Sequence, residues 1–148
     1  MPAAPAVLLR TEYIVITQEF AGKIIRYRQT AVQFPDLDVA QRIYDQVLAV
    51  YDRVGRRGRG LLVDSRDAIG RNDAAFESVL ISFRNRAIPG FLAHAVLMRT
   101  AVGVLQAQRI DRRLRGERPS FLVTDNEEDA IDFLLQHVAS TAPGGSAT

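Results

Sequence analysis

Cysteine is absent from the 148 residues, which excludes disulfides and cysteine-based metal sites. Histidine occurs only at His94 and His137, and neither has a neighbouring Asp or Glu at ligand spacing. Both are read as structural: His94 opens an apolar run, and His137 falls near the end of a helix, where a cation suits the dipole. Lysine is nearly missing too. Lys23 stands alone among 19 basic residues, the rest being arginine. With 17 acidic residues the net charge is only +2. An arginine bias alongside abundant Ala, Val and Gly is the usual mark of a GC-rich coding sequence, so it is a weak nucleic-acid signal.

Motifs are missing as well. No apolar run approaches the roughly 20 residues that span a bilayer. Met1–Leu9 is too short and too weakly apolar for a signal peptide, and Arg10 follows its apolar run instead of preceding it. The expected location is the cytoplasm. No G-x-x-x-x-G-K-[ST], G-x-G-x-x-G or G-x-S-x-G occurs. Gly55-Arg-Arg-Gly-Arg-Gly60 has loop glycines but precedes a strand, and Ser65 follows Asp64 without an evident base. A phosphoacceptor receiver is also excluded, since its first strand would end in an acidic pair and this one ends Thr17-Gln-Glu19.

What is present reads as one α/β domain, 47% hydrophobic and 24% charged. Tyr13-Ile-Val-Ile-Thr17, a turn at Phe20-Ala-Gly22 and Lys23-Ile-Ile-Arg-Tyr-Arg28 predict an opening antiparallel hairpin. Asp36 or Asp38 caps a helix with Val39, Ile43, Val47, Val50 and Val54 at helical spacing, closed by Gly55. Gly60–Asp64 is a short apolar strand. Asn72 is expected to cap a second helix carrying Phe76, Val79, Leu80 and Phe83, ended by Pro89-Gly90. His94–Met98 is the next strand, Ala101–Leu114 a third helix ending at Gly116, and Phe121–Thr124 the last strand. A final helix, capped by Asp125 or Asn126, carries Ala130, Ile131, Phe133, Leu134 and Val138. The order is β-β-α-β-α-β-α-β-α, a mixed sheet whose later strands are parallel and covered by helices. Residues 1–9 are expected as a flexible tail, 10–139 as the domain and 140–148 as a disordered tail.

Right-handed crossovers sort the loops onto two edges. The helix-to-strand edge collects Arg53, Arg56, Arg57, Arg59, Arg84 and Arg86, then Arg109, Arg112, Arg113, Arg115 and Arg118. The strand-to-helix edge, where sites in such sheets favour the strand carboxyl ends, holds Asp64, Asp67, Asp73, Asp125, Glu127, Glu128 and Asp129. Helix dipoles explain such sorting. A basic pole built on Arg56, Arg57, Arg112 and Arg113 could also dock an anionic surface, or the acidic pole of another copy. Asp64 and Asp125 could share a magnesium ion, but two carboxylates without a third ligand are read as a solvated helix-capping pair. The helix from Ala101 is apolar around most of its circumference. Gly103, Ala107, Ile110 and Leu114 suit the sheet, while Val102, Val104 and Leu105 widen the arc. That arc is expected to face the core, with a homodimer or partner groove as the alternative, which Phe91-Leu92 could extend.

The hairpin, the segment Leu61-Leu-Val-Asp-Ser-Arg-Asp-Ala-Ile-Gly-Arg-Asn-Asp-Ala-Ala-Phe-Glu77, the Phe121 strand and the acidic-start helix Asn126-Glu-Glu-Asp-Ala-Ile-Asp-Phe-Leu134 together resemble the STAS-like group. This is the fold of the SpoIIAA anti-sigma-factor antagonists and their uncharacterised bacterial relatives. Phe133-Leu134 stands where many SpoIIAA-like proteins have Trp-Leu. The resemblance, over residues 11–138, implies a regulatory, signalling, protein-binding module without chemistry of its own, often switched by phosphorylation of a serine at a helix start. Here that turn reads Gly70-Arg-Asn-Asp-Ala74 and offers no hydroxyl. Related folds also bind lipids or other apolar ligands. The expected partner is therefore a protein, with self-association, through Asp64, Ser65, Asn72, Asp73, Val102 and Val104. A small apolar ligand is the alternative, and an enzyme or metal site at the Asp64/Ser65/Thr100/Asp125 edge a third reading. No cofactor, metal or catalytic residue is assigned, and nucleic acid is not favoured.

Overall fold

Strand signals and helix caps place ten elements along the chain in the computed structural model, which describes residues 5–69, 73–113 and 119–140. They are β1 (Ala6–Arg10), β2 (Ile14–Glu19), β3 (Ile24–Gln29), α1 (Leu37–Val54), β4 (Gly60–Asp64), α2 (Ala74–Ala87), β5 (Ala93–Leu97), α3 (Ala101–Asp111), β6 (Ser120–Thr124) and α4 (Glu127–Ser140). The strands lie in one sheet in chain order, β1 to β6. The first two pairings are antiparallel and the last three parallel. The mixed α/β sheet matches the expectation, with one strand added. Residues 1–9 were expected as tail; instead Ala6–Arg10 pairs with β2 as an edge strand, through a register break between Val7 and Leu9.

The β2–β3 hairpin turns through Phe20, Ala21 and Gly22, all at positive φ (55°, 55° and 83°). Lys23 N–H donates to the Phe20 carbonyl at 3.1 Å. Left-handed backbone at a residue with a side chain costs about 1–2 kcal/mol, offset here because left-handed central residues match the twist of the paired strands.

Asp36 caps α1, accepting from Val39 N–H at 2.9 Å, and Gly55 (φ 94°) ends it. The helix buries Ala40, Ile43, Tyr44, Val47, Leu48, Val50 and Tyr51. α2 is capped by Asp73, whose side chain accepts from Ala75 and Phe76 N–H. That corrects the cap expected at Asn72, which lies outside the described residues, as do Leu114, Arg115, Gly116, Arg118 and the segments 1–4 and 141–148. Thr100 caps α3 and Asn126 caps α4, accepting from Asp129 N–H at 3.0 Å.

Consecutive right-handed crossovers that all step the same way put α1, α2 and α3 on one face. Ile14, Ile16, Ile25, Tyr27, Leu61, Val63, Val96 and Val123 meet them there. Tyr44 stacks on Phe83 with ring centroids 4.2 Å apart, and Phe34 and Tyr27 flank the pair. Among the described residues, α4 alone covers the second face. Its Ala130 and Leu134 pack on Ile24, Leu62, Ala93, Ala95 and Leu97, and it approaches so closely that a Cβ on Gly60 would sit 3.1 Å from Leu134. Burying a Leu or Ile side chain is worth about 1.5–3 kcal/mol, so this layer needs its one helix.

Candidate interaction surface at the strand-carboxyl edge

Parity along the strands decides what lies beside α4 on the second face. Thr17 and Glu19 of β2, Arg26 and Arg28 of β3, and Asp64 of β4 share that face with Ile24 and Leu62. α4 covers β4, β5 and β6, so the neighbouring part of this face is closed by ion pairs. Arg26 is the hub. Its Nε donates to Glu19 Oε2 at 2.8 Å and its Nη1 to Asp64 Oδ2 at 2.9 Å, while Nη2 lies 3.5 Å from Glu127. Thr17 Oγ1 adds a 2.7 Å hydrogen bond to Glu19.

Arg66, on the connection after β4, grips Asp64 from the other side, Nε to Oδ1 at 3.0 Å and Nη2 to Oδ2 at 2.8 Å, and reaches Glu127 at 2.6 Å. The α4 N-terminus is thus clamped to two strands and a loop. Further out, Asp67 holds both Arg28 (3.7 Å) and Arg99 (2.9 Å), tying the connections after β4 and β5 together.

Asp64 is only 2% exposed. Burial pushes its carboxyl up, but the Arg66 hydrogen bonds and the charges of Arg66 and Arg26 outweigh that and hold it below the usual range. Burial acts against the Arg26 cation, and Glu19, Glu127 and Asp64 more than restore it. The hydrogen bond from Arg66 to Asp64 is the main cause that raises the Arg66 pKa. Asp64 is therefore not a solvated helix cap, as the sequence suggested, and its oxygens are already engaged by two guanidinium groups. Asp125 is exposed, and among the described residues no group of three His, Asp or Glu side chains could hold a metal ion.

The expected partner residues divide. Ser65 is 7% exposed, so its hydroxyl is inside the strand exit. Asp73 is a cap. Val104 packs on the α1–α3 core, while Val102 and Leu105 are 64% and 65% exposed. That corrects the core-facing arc: α3 buries only Gly103, Ala107 and Asp111, too little side chain to draw the helix down onto its flanks. With Val32 and Ile69, also exposed, the connections after β3, β4 and β5 each present an aliphatic side chain at this edge. Gln33 Nε2 donates to the Ile69 carbonyl at 3.5 Å, linking two of these connections.

The basic pole also divides. Arg56 is a brace: it donates to Asp52 at 2.7 Å and to the Ala87 carbonyl at 3.2 Å, and lies over the Tyr51 ring. Arg113 and Arg109 bind Glu77 of α2. Arg57 and Arg112 are exposed. His94 is buried and stacks on Phe121, and His137 Nδ1 contacts the Phe133 carbonyl.

Two hollows adjoin α1 and α2. The void toward the sheet, lined by Tyr27, Tyr51 and Arg84 among others, has a volume of about 10 Å³, room for one water and not for a lipid. The outer groove, about 380 Å³, runs between Gln41, Asp45, Ser78, Ser82 and Arg86 over the Tyr44–Phe83 stack. No helix among the described residues is long and apolar enough to cross a membrane.

No family model matches the chain, and no curated protein does. Among solved structures, an uncharacterised DUF3478-family protein from Shewanella loihica PV-4, described as having a SpoIIAA-like fold, superposes with a TM-score of 0.56. The match covers 90% of this chain and 98% of that one at 10% identity. At that identity the likeness concerns the fold alone.

Proposed function

We propose, from the premise of a SpoIIAA-like fold, that this chain is a non-enzymatic regulatory module whose strand-carboxyl edge binds another protein. One observation carries the reading. Val32, Ile69, Val102 and Leu105 are exposed at one edge, on connections held in place by the Asp64, Asp67 and Gln33 contacts. Aliphatic side chains that form a contiguous exposed patch mark contact surfaces. The lipid-carrier alternative requires the 10 Å³ void to open. A phosphorylation switch at Ser65 requires the strand exit to open.

Capture from cells of its own source, with wild type and an Ile69→Asp/Val102→Asp variant side by side, tests the proposal. The expected result is one protein recovered in stoichiometric amount by wild type and lost with the variant, both baits retaining the same melting temperature. A partner retained equally by both baits, or native mass spectrometry showing a bound apolar small molecule and no protein, overturns it.

A further inference from the structure

We infer that copies of this chain associate head to tail, the helix-to-strand edge of one molecule seated on the strand-carboxyl edge of the next. The inference rests on the interaction-module reading and names a second copy as an occupant of that edge. At the helix-to-strand edge Lys23, Arg53, Arg57 and Arg59 have no carboxylate within 4.0 Å among the described residues. Arg59 Nη1 is buried near Gly22 of the hairpin turn without a hydrogen-bond partner. Phe20, 44% exposed at that same turn, adds an aromatic contact among these cations.

The opposite edge carries the complement. Asp38, Asp125, Glu128 and Asp129 are exposed, with no cation within 4.0 Å among the described residues, and Val32, Ile69 and Val102 are the exposed apolar groups there. Two-fold pairing through either edge would set like charges against each other. The head-to-tail arrangement places these cations on these anions and Phe20 among aliphatics. Such a contact weakens with salt, because its charges are exposed.

Sedimentation velocity of the full chain at rising concentration, in about 0.05 M and about 1 M salt, tests this. Wild type should associate at low salt and dissociate at high salt. Lys23→Gln/Arg53→Gln/Arg57→Gln, which removes three of the four unpaired cations of the basic edge, and Asp38→Asn/Glu128→Gln/Asp129→Asn, which removes three of the four unpaired carboxylates of the acidic one, should each be monomeric alone. Mixed, they should form a dimer that grows no further, since each retains the edge the other lacks. Phe20→Asn keeps the left-handed turn, which Asn tolerates, and should weaken association about tenfold without lowering the melting temperature. A wild type that stays monomeric at low salt, self-association retained by either triple variant, or a mixture that fails to associate overturns the inference. So does a monomer whose basic edge instead binds an anionic vesicle or an oligonucleotide. A monomeric wild type leaves the module reading to its own capture experiment.

Discussion

The two edges of the sheet both carry arginine and use it in opposite ways. At the strand-carboxyl edge and the stripe below it, Arg26, Arg28, Arg66 and Arg99 each lie within 4.0 Å of a carboxylate. At the other edge Arg56 is braced, but Arg53, Arg57 and Arg59 have no such partner. For Arg26, burial requires the partners. Arg26 has 12% of its side chain exposed, and a guanidinium taken out of water at a sheet face has to be matched by anions and hydrogen bonds. Arg57, exposed on the loop after α1, is matched by water. A tally of charge by edge therefore says little about which charges are spent on the fold and which remain for a partner.

The sharpest way to break the comparison is Asp64→Asn, which leaves Arg26 and Arg66 facing an amide. A loss of about 3 kcal/mol in denaturant unfolding is expected, the range for removing one partner of a buried pair. A loss under about 0.5 kcal/mol, typical of surface sites, would put both edges in one class. Acid should expose the same asymmetry. Because the folded-state pKa of Asp64 is depressed, its contribution is complete above the ordinary carboxylate value and is lost as pH falls through the lower folded value. Stability should therefore be flat in this respect from neutral pH down to about 4 and fall below it, and Asp64→Asn should flatten that fall. Glu127→Ala, at a half-exposed member of the network, should cost about 1 kcal/mol, read as faster amide exchange in the first turn of α4. Smallest of all, Arg57→Ala should leave the melting temperature within measurement error, its change within about 0.5 kcal/mol.

Much of the fold was legible because its signals are local. Gly60–Asp64 is a short apolar run between a glycine-rich loop and a polar turn, and the strand has those bounds. Asp36 and Gly55 punctuate α1 as a cap and a stop should. β1 was missed because Ala-Val-Leu-Leu-Arg follows a Pro-Ala start and lacks alternation, and its register break hides the period further. The ion network was illegible for another reason. Arg26 meets Asp64 across 38 positions of sequence, and only the strand register brings them to one face. The exposure of Val102 and Leu105 depends on how α3 sits on the sheet, which its apolar composition does not encode. The sequence also did not show that Arg56 and Arg113 of the basic pole are committed to contacts within the fold.

Among the described elements α4 is the one helix on its face, and its sequence is translated after β1 to β6. A chain released before residue 127 would leave the face of Ile24, Leu62 and Leu97 bare to water, a sticky hydrocarbon strip of the kind chaperones recognise. A premature stop codon just ahead of α4 should then yield an aggregate instead of a smaller domain.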